Sequence, residues 1–171
     1  TGWMRTLLCE LSRIHSHLIF IGTAALGLGA VSMFWYAYRE REMIMDLFEM
    51  VTGQRMHTRY FQIGGLAEDI PKGFYPECRK FVDWMPSALN DYLMLLDRNA
   101  IWLERPKSVG VLSADDAIAL GPTGPHLPAS GRDWALRPHH PSLPSDLPHL
   151  QVPAYTTAPP HPRPRFRPRA L

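Results

Sequence analysis

The sequence predicts a mainly α-helical protein with minor short strands and an irregular, proline-rich C-terminal tail. Apolar residues recur every three or four positions in three long segments, residues 3–21, 31–51 and 77–97, as in amphipathic helices. Thirteen of the 17 prolines lie after residue 120, where each fixes φ and removes a backbone donor. We therefore expect a helical core over residues 1–125 and a poorly ordered tail over residues 126–171.

The first two predicted helices are defined by their apolar stripes. In residues 3–21 the stripe is Leu7, Leu11, Ile14 and Leu18. In residues 31–51 it is Met43, Ile44, Leu47, Phe48 and Val51, and charged residues occupy the opposite face. Thr52 and Gly53 then give a C-terminal stop signal, because glycine readily adopts the left-handed conformation that ends a helix.

The remaining elements are shorter or interrupted. Residues 56–63 are expected to be extended or irregular, with a turn at Gly64 and Gly65. The third helix, residues 77–97, is expected to kink or split at Pro86; its predicted apolar face is Cys78, Val82, Met85, Leu89, Tyr92 and Leu96. Residues 107–112 are predicted to form a short strand, and Ser113 to cap a brief helix that ends at Gly121.

Residues 18–36 contain no charged side chain, which raises the question of a membrane span. A span needs about 20 apolar residues. However, this stretch contains Gly22, Gly27 and Gly29, each of which costs about 1 kcal/mol in a helix interior, and no excess of basic residues flanks it. A tightly packed helical segment of a soluble protein is favoured, with the glycines serving close packing.

No self-contained active site is visible in the sequence. Phosphate-binding, dinucleotide-binding, hydrolase and zinc-protease motifs are absent from it. Cys9 and Cys78 lack the paired spacing of metal ligands and are interpreted as buried structural thiols. His15 and His17 are two residues apart, so they should point to different faces of a helix. This pattern favours a subunit whose chemistry is completed by partner chains.

His57 and the basic tail each allow two interpretations. His57 precedes an apolar segment, where it is either a half-buried, hydrogen-bonded residue or a titrating group beside a redox centre of another chain. Six arginines in residues 121–171 could attract nucleic acid or anionic lipid. Because no folded basic face with interleaved aromatic residues accompanies them, we expect a solvated tail and no nucleic-acid partner.

Several ordered motifs are more specific than the composition. They are GTAALGLGA at 22–30, YRERE at 38–42, DLFEMVTGQRMH at 46–57, IGG at 63–65, EDIP at 68–71 and GVLSADDA at 110–117. In one register over residues 4–137, they resemble the D-type, quinone-site subunit of the respiratory NADH:quinone oxidoreductase (complex I). That family is related to the nickel–iron hydrogenase large subunit, so the resemblance implies the helical core of that fold.

The resemblance also implies partners and cofactors. A subunit of this family is a peripheral protein on the cytoplasmic side of the bacterial inner membrane. It packs against the membrane arm and beside the subunit that holds the terminal iron–sulfur cluster. The quinone pocket lies between these two peripheral subunits, and NADH binds at a distant partner. The family subunit itself holds no metal, and it supports electron transfer coupled to proton translocation.

Residue roles follow only where motifs match. His57 corresponds to the family histidine whose protonation follows the redox state of the cluster, and Arg55 to its electrostatic neighbour. Gly22, Thr23 and Gly27 would line the quinone-facing wall. Within residues 1–125 the sequence departs from the family pattern at three positions, where Ala24, Gly27 and Gln62 replace histidine, aspartate and arginine.

Three alternatives stay open at this point. The chain could belong to a membrane-bound nickel–iron hydrogenase-type large subunit. It could be a small integral-membrane protein that uses residues 18–38 as its span. It could also be a non-functional remnant that binds nothing. In the preferred interpretation it is a fragment of the quinone-site subunit of complex I, and the isolated chain has no turnover.

Overall fold

The computed structural model describes residues 1–122 and 126–131 of the chain. It divides the chain into two compact units, Thr1–Trp102 and Leu103–Leu171. In order, the elements of the described residues are α1 (Gly2–Gly27), α2 (Val31–Thr52), β1 (Phe61–Gln62), β2 (Gly65–Leu66), α3 (Phe74–Leu96), α4 (Ala100–Glu104), α5 (Ala114–Leu120) and α6 (His126–Ala129). The predicted mainly α fold with minor short strands is confirmed.

Helices α1 and α2 form a hairpin around a short turn. Gly29 has a φ of +90°, and the Ala30 N–H donates to the carbonyl of Ala25 at 2.8 Å. Such a left-handed glycine ends a helix because only glycine adopts this φ without steric cost. Helix α1 therefore continues six residues beyond the predicted end at Ile21, and α2 begins at the predicted Val31.

The uncharged run of residues 18–36 is divided by this turn. Its first part completes α1 and its second part begins α2, and the two helices pack together. Gly22 is buried at their contact: a Cβ built there would lie 3.3 Å from the Ala37 Cβ. Gly27 has no atom of the described chain within 4 Å of such a Cβ, so close packing explains Gly22 and not Gly27. No helix in the described residues is long and apolar enough to cross a membrane.

Helix α3 packs against α2 and completes the core of the first unit. Its buried residues are Phe74, Cys78, Phe81, Ala88, Tyr92 and Leu96. Phe81 thus takes the core position predicted for Val82, which is 50% exposed. The predicted split at Pro86 does not occur: α3 runs from Phe74 to Leu96, with Pro86 exposed on its solvent side. The predicted buried thiol is confirmed at Cys78, whereas Cys9 is half-buried.

The predicted turn at Gly64 and Gly65 joins two short antiparallel strands. Phe61 pairs with Leu66 and Gln62 with Gly65, and Gly64 has a φ of +88°. The Arg5 guanidinium donates to the Gln62 carbonyl at 3.4 Å, which ties this hairpin to the start of α1.

The second unit contains the predicted capped helix. The Ser113 hydroxyl accepts the Asp116 N–H at 3.1 Å, and Gly121 ends α5 with a φ of +67°. The strand predicted over residues 107–112 is wrong. Ser108 and Gly110 have φ values of +61° and +66°, which are incompatible with an extended strand. The tail predictions for residues 132–171 lie outside the described residues, and the domain boundary at residue 125 stays a prediction.

Candidate functional site

His57 lies on the loop that follows α2, and its imidazole is exposed. The loop starts at Gly53, whose φ is +69° and whose N–H donates to the Glu49 carbonyl at 2.8 Å. The half-buried position that the sequence allowed for His57 is therefore wrong. The surrounding backbone presents the ring at the surface of the first unit, where another polypeptide could reach it.

His57 also has an uncommon backbone conformation. Its φ is +56°, and the only other non-glycine residue with a positive φ in the described chain is Ser108. A non-glycine residue in this region costs on the order of 1–3 kcal/mol, and it persists only where surrounding contacts fix it. The contacts of the two residues that precede His57 supply this restraint.

Arg55 is held by three carboxylates on the exposed face of α2. Its Nη1 lies 2.6 Å from Oδ1 of Asp46 and 3.2 Å from Oε2 of Glu49, and its Nη2 bonds to the carboxylate of Glu42. Hydrogen bonding to Asp46 is the main reason why the pKa of Arg55 is raised. With one guanidinium and three carboxylates, this cluster carries a formal charge of −2, so the positive charge of Arg55 is more than neutralised.

Met56 fixes the loop from the other side. Its sulfur lies 3.8 Å from Nη2 of Arg41, whose guanidinium is 5.2 Å from the centre of the Tyr38 ring. Arg55 and Met56 thus anchor the loop to two different positions on α2. Both residues precede His57, whose side chain is exposed at the end of the segment.

The structure does not place the three predicted wall residues on one face. Gly22 is buried between α1 and α2, whereas Thr23 and Gly27 are exposed. The Thr23 hydroxyl donates to the Ile19 carbonyl at 2.8 Å, which is an intrahelical bond. At about 100° per residue, Thr23 and Gly27 are four positions apart and share one exposed face of α1, which is turned away from the side that buries Gly22.

Comparison with known families identifies the family to which the chain belongs. Residues 27–164 match the model of the respiratory-chain NADH dehydrogenase 49 kDa subunit. The chain belongs to this family. The family predicted from the motifs is therefore confirmed, and so is the association with an oxidoreductase of the respiratory chain.

Curated relatives in the 49 kDa family are D-type subunits of NADH-quinone oxidoreductase. The second D-type subunit of Rhizobium etli is 48% identical over 139 residues, which cover 81% of this chain and 34% of the relative. The first D-type subunit of Herpetosiphon aurantiacus is 54% identical over 134 residues, which cover 78% of this chain and 32% of the relative. The chain thus spans about a third of the length of these relatives.

A solved structure shares the fold of this family member. A chain of the membrane-bound sulfane sulfur reductase, an archaeal respiratory membrane complex, matches with a TM-score of 0.84 and 32% identity. The match covers 91% of this chain and 42% of that chain. The helical arrangement of the two proteins is therefore closely similar.

The family member also contains a buried carboxylate that sequence reasoning missed. Glu40 has no exposed surface, and it accepts hydrogen bonds from the Tyr92 hydroxyl at 2.6 Å and from Nε1 of Trp84 at 3.2 Å. Arg39 donates to it at 2.6 Å. The sequence signal for the burial of Glu40 was its position on α2. It follows the buried Ala37 by three residues and precedes Ile44, a residue of the predicted apolar stripe, by four.

Electrostatics around Glu40 follow from its burial. Burial and the hydrogen bond to Glu40 raise the pKa of Tyr92 well above its usual range, so the hydroxyl stays a donor. Arg39 lies 5.2 Å from the Trp84 ring centre and bonds to Asp91 at 3.4 Å. The network joins α2 to α3 and contacts neither Arg55 nor His57, so its role is to fix the helices that carry the loop.

The two histidines of α1 point to different faces, as predicted. His17 is exposed, whereas His15 is half-buried with its ring centre 6.0 Å from that of Phe48. Burial, and then the charge of Arg41, lower the pKa of His15. In residues 1–122 and 126–131, no group of three or more potential metal ligands comes together.

Proposed function

We propose that this chain is part of the quinone-site subunit of an NADH:quinone oxidoreductase. It forms part of the quinone pocket beside a terminal iron–sulfur cluster held by a partner subunit, and NADH binds at a distant partner. The family match and the names of the D-type relatives support this proposal. The assembly couples electron transfer to proton translocation, and the subunit is peripheral, on the cytoplasmic side of the bacterial inner membrane against the membrane arm.

His57 is proposed as the proton-accepting group next to the cluster. The observation that carries this role is its exposed imidazole on a loop whose two preceding residues, Arg55 and Met56, both contact α2. Imidazole is the side chain whose protonation changes most readily near neutral pH, so one added electron nearby can change its proton occupancy. Before a partner docks, the two contacts hold the loop against α2.

Arg55, Gly22, Thr23 and Gly27 have supporting roles in the proposal. Arg55 positions the His57 loop by pairing with three carboxylates of α2. The electric field at the loop therefore comes from the net charge of the whole cluster and not from Arg55 alone. Gly22 allows α2 to approach α1 closely. Thr23 and Gly27 supply the exposed part of the quinone-facing wall.

The test uses the assembled enzyme with the full-length subunit. In His57→Ala, the midpoint potential of the terminal cluster should lose its pH dependence near neutral pH. One proton taken up per electron corresponds to a slope of about 59 mV per pH unit. His126→Ala, an exposed histidine of α6, is the matched control and should keep the slope. A slope that survives in His57→Ala would rule out the proposed role.

A second candidate is a hydrogenase-type membrane reductase that does not use quinone. The likeness to the sulfane sulfur reductase favours it, but the identity of 32% is below the 48–54% shared with the D-type relatives. Quinone-dependent NADH oxidation by the purified assembly separates the two functions. Its absence in an intact assembly would select the second candidate.

A further inference from the structure

Arg41 is a buried cation without an anionic partner in the described chain. Its exposed fraction is 9%, because it occupies the core-facing side of α2 between Ala37 and Ile44. Within residues 1–122 and 126–131 its Nε has no hydrogen-bond acceptor, and no carboxylate lies within ion-pair distance. The hydrogen bonds of the adjacent acids go to other residues: Glu40 bonds to Arg39, and Glu42 bonds to Arg55, although the charge of Glu42 still acts on His15.

His15 presents a second unsatisfied group to the same region. It lies on the buried stripe of α1 between Leu11 and Leu18, and its Nε2 is buried without a partner in the described residues. Its ring centre lies 6.0 Å from that of Phe48, which follows Arg41 by seven residues and therefore shares its face of α2, so His15 faces the side of α2 that carries Arg41. The charges of Arg41 and Glu42 both act on the ring, Arg41 lowering its pKa and Glu42 raising it. Buried polar groups are nearly always paired in native proteins, so two adjacent unpaired ones point to a missing ligand.

We propose that Arg41 and His15 bind a carboxylate, donated by an aspartate or glutamate of a partner subunit that docks beside the Met56–His57 loop. One carboxylate oxygen would accept from Nε of Arg41 and the other from a protonated Nε2 of His15. A carboxylate fits better than a phosphate, since its single charge balances one guanidinium and its two oxygens match the two unsatisfied nitrogens.

Met56 gives this site an entrance. Its side chain is 47% exposed, and its sulfur contacts Nη2 of Arg41. A methionine side chain is flexible and unbranched, so an incoming carboxylate can displace it without moving either helix. Because the same loop carries His57, docking at Arg41 would fix the position of the imidazole. That the carboxylate comes from a partner subunit rests on the proposed function. That Arg41 and His15 bind a carboxylate does not depend on it.

The affinity is tested on the 171-residue chain with acetate as the probe. The nitrogen signals of His15 should shift saturably with acetate, beyond the effect of equal sodium chloride. Arg41→Leu should weaken acetate binding at least about tenfold, which corresponds to about 1.4 kcal/mol. Arg59→Leu, an exposed arginine near the same loop, is the control and should bind as the unchanged chain does.

Three results would overturn the site: no saturable shift, the same shift with chloride, or unchanged binding in Arg41→Leu. Met56→Ala provides a second variant should Arg41→Leu not fold. It uncovers the guanidinium and is expected to tighten acetate binding, whereas unchanged or weaker binding would contradict the proposed entrance.

The source of the carboxylate is tested in the assembled complex. A photoreactive residue at position 56 should cross-link to an acidic segment of a partner subunit. A cross-link within the same polypeptide would overturn the assignment to a partner. If His57→Ala keeps the pH slope of the cluster while acetate still binds, the role of His57 fails and the carboxylate site stands.

Discussion

The Tyr92 hydroxyl of α3 donates a 2.6 Å hydrogen bond to the carboxylate of Glu40, which is completely buried on α2. Trp84 and Arg39 donate to the same carboxylate. A buried charge is tolerated only where donors replace the water that it has lost. This network therefore fixes how α3 packs against the helix that carries the His57 loop.

Tyr92→Phe is expected to destabilise the chain by about 1.5–3 kcal/mol, since it removes a donor to a buried charged group. The free energy of unfolding in urea measures the effect. Tyr75→Phe is the matched control, because Tyr75 is on the same helix and 60% exposed, and it should change stability little. Equal effects of the two substitutions would contradict the assigned role of the network.

Gly22→Ala is expected to destabilise the helical hairpin by roughly 1–2 kcal/mol. The added Cβ would lie 3.3 Å from the Cβ of Ala37, which is closer than an ordinary van der Waals contact, and this atom cannot rotate away. The cost of overpacking, about 1–3 kcal/mol, outweighs the better helix propensity of alanine. Gly27→Ala is the control, since its Cβ would meet open space and should leave stability unchanged or raise it. Thermal unfolding of both variants decides whether the close approach of α1 and α2 is the reason that position 22 holds a glycine.

The pKa of His15 predicts how stability changes with pH. Burial and Arg41 lower this pKa in the folded chain, partly offset by Glu42. Below about pH 6.5, the ordinary value for histidine, the unfolded chain binds a proton at this residue more readily than the folded chain. Protonation therefore favours unfolding, and this contribution to stability is lost as the pH falls from about 6.5 through the lowered value.

His15→Leu should flatten that part of the stability profile, whereas His17→Leu should not, because His17 is exposed on the same helix. Urea unfolding at several pH values measures both. A profile of His15→Leu that is parallel to that of the unchanged chain would show that His15 does not supply the effect.

Arg55→Ala is expected to loosen the segment between Gly53 and His57. The substitution removes the bonds to Glu42, Asp46 and Glu49 and leaves three carboxylates to repel each other along α2. Amide hydrogen exchange at residues 54–57 should become faster, while α3 keeps its protection. Arg59→Ala is the control with an exposed arginine outside the cluster. Unchanged exchange in Arg55→Ala would mean that the loop is held by other contacts.

The purified 171-residue chain is expected not to oxidise NADH. Its family members are subunits of an oxidoreductase, and this chain spans about a third of their length. A standard assay with a soluble quinone measures the activity, and the assembled enzyme is the positive control. NADH oxidation by the chain alone would contradict the proposal that its chemistry depends on partners.

Local signals were sufficient for most element boundaries. Gly53 ends α2, Ser113 caps α5 and Gly121 ends it, each as predicted, because caps and left-handed glycines depend on a few neighbouring residues. The strand predicted over residues 107–112 failed since a short apolar pattern does not report the backbone φ values at Ser108 and Gly110. In α3, Phe81 is buried where Val82 was predicted to be, because the side of a helix that is buried depends on the partner helix.

The sequence by itself determined the three long helices, the capped helix α5 and the family, including the motif that contains His57, but not the short helices α4 and α6. Only the tertiary structure decided which polar residues of the helices are buried. Glu40, Arg41 and His15 lie on the core side of helices α2 and α1 because the width of that side is set by how the helices pack, and the spacing of Glu40 from Ile44 was only a partial local signal. The same packing satisfies Glu40 with donors from α3 and leaves Arg41 without an anion in the described chain.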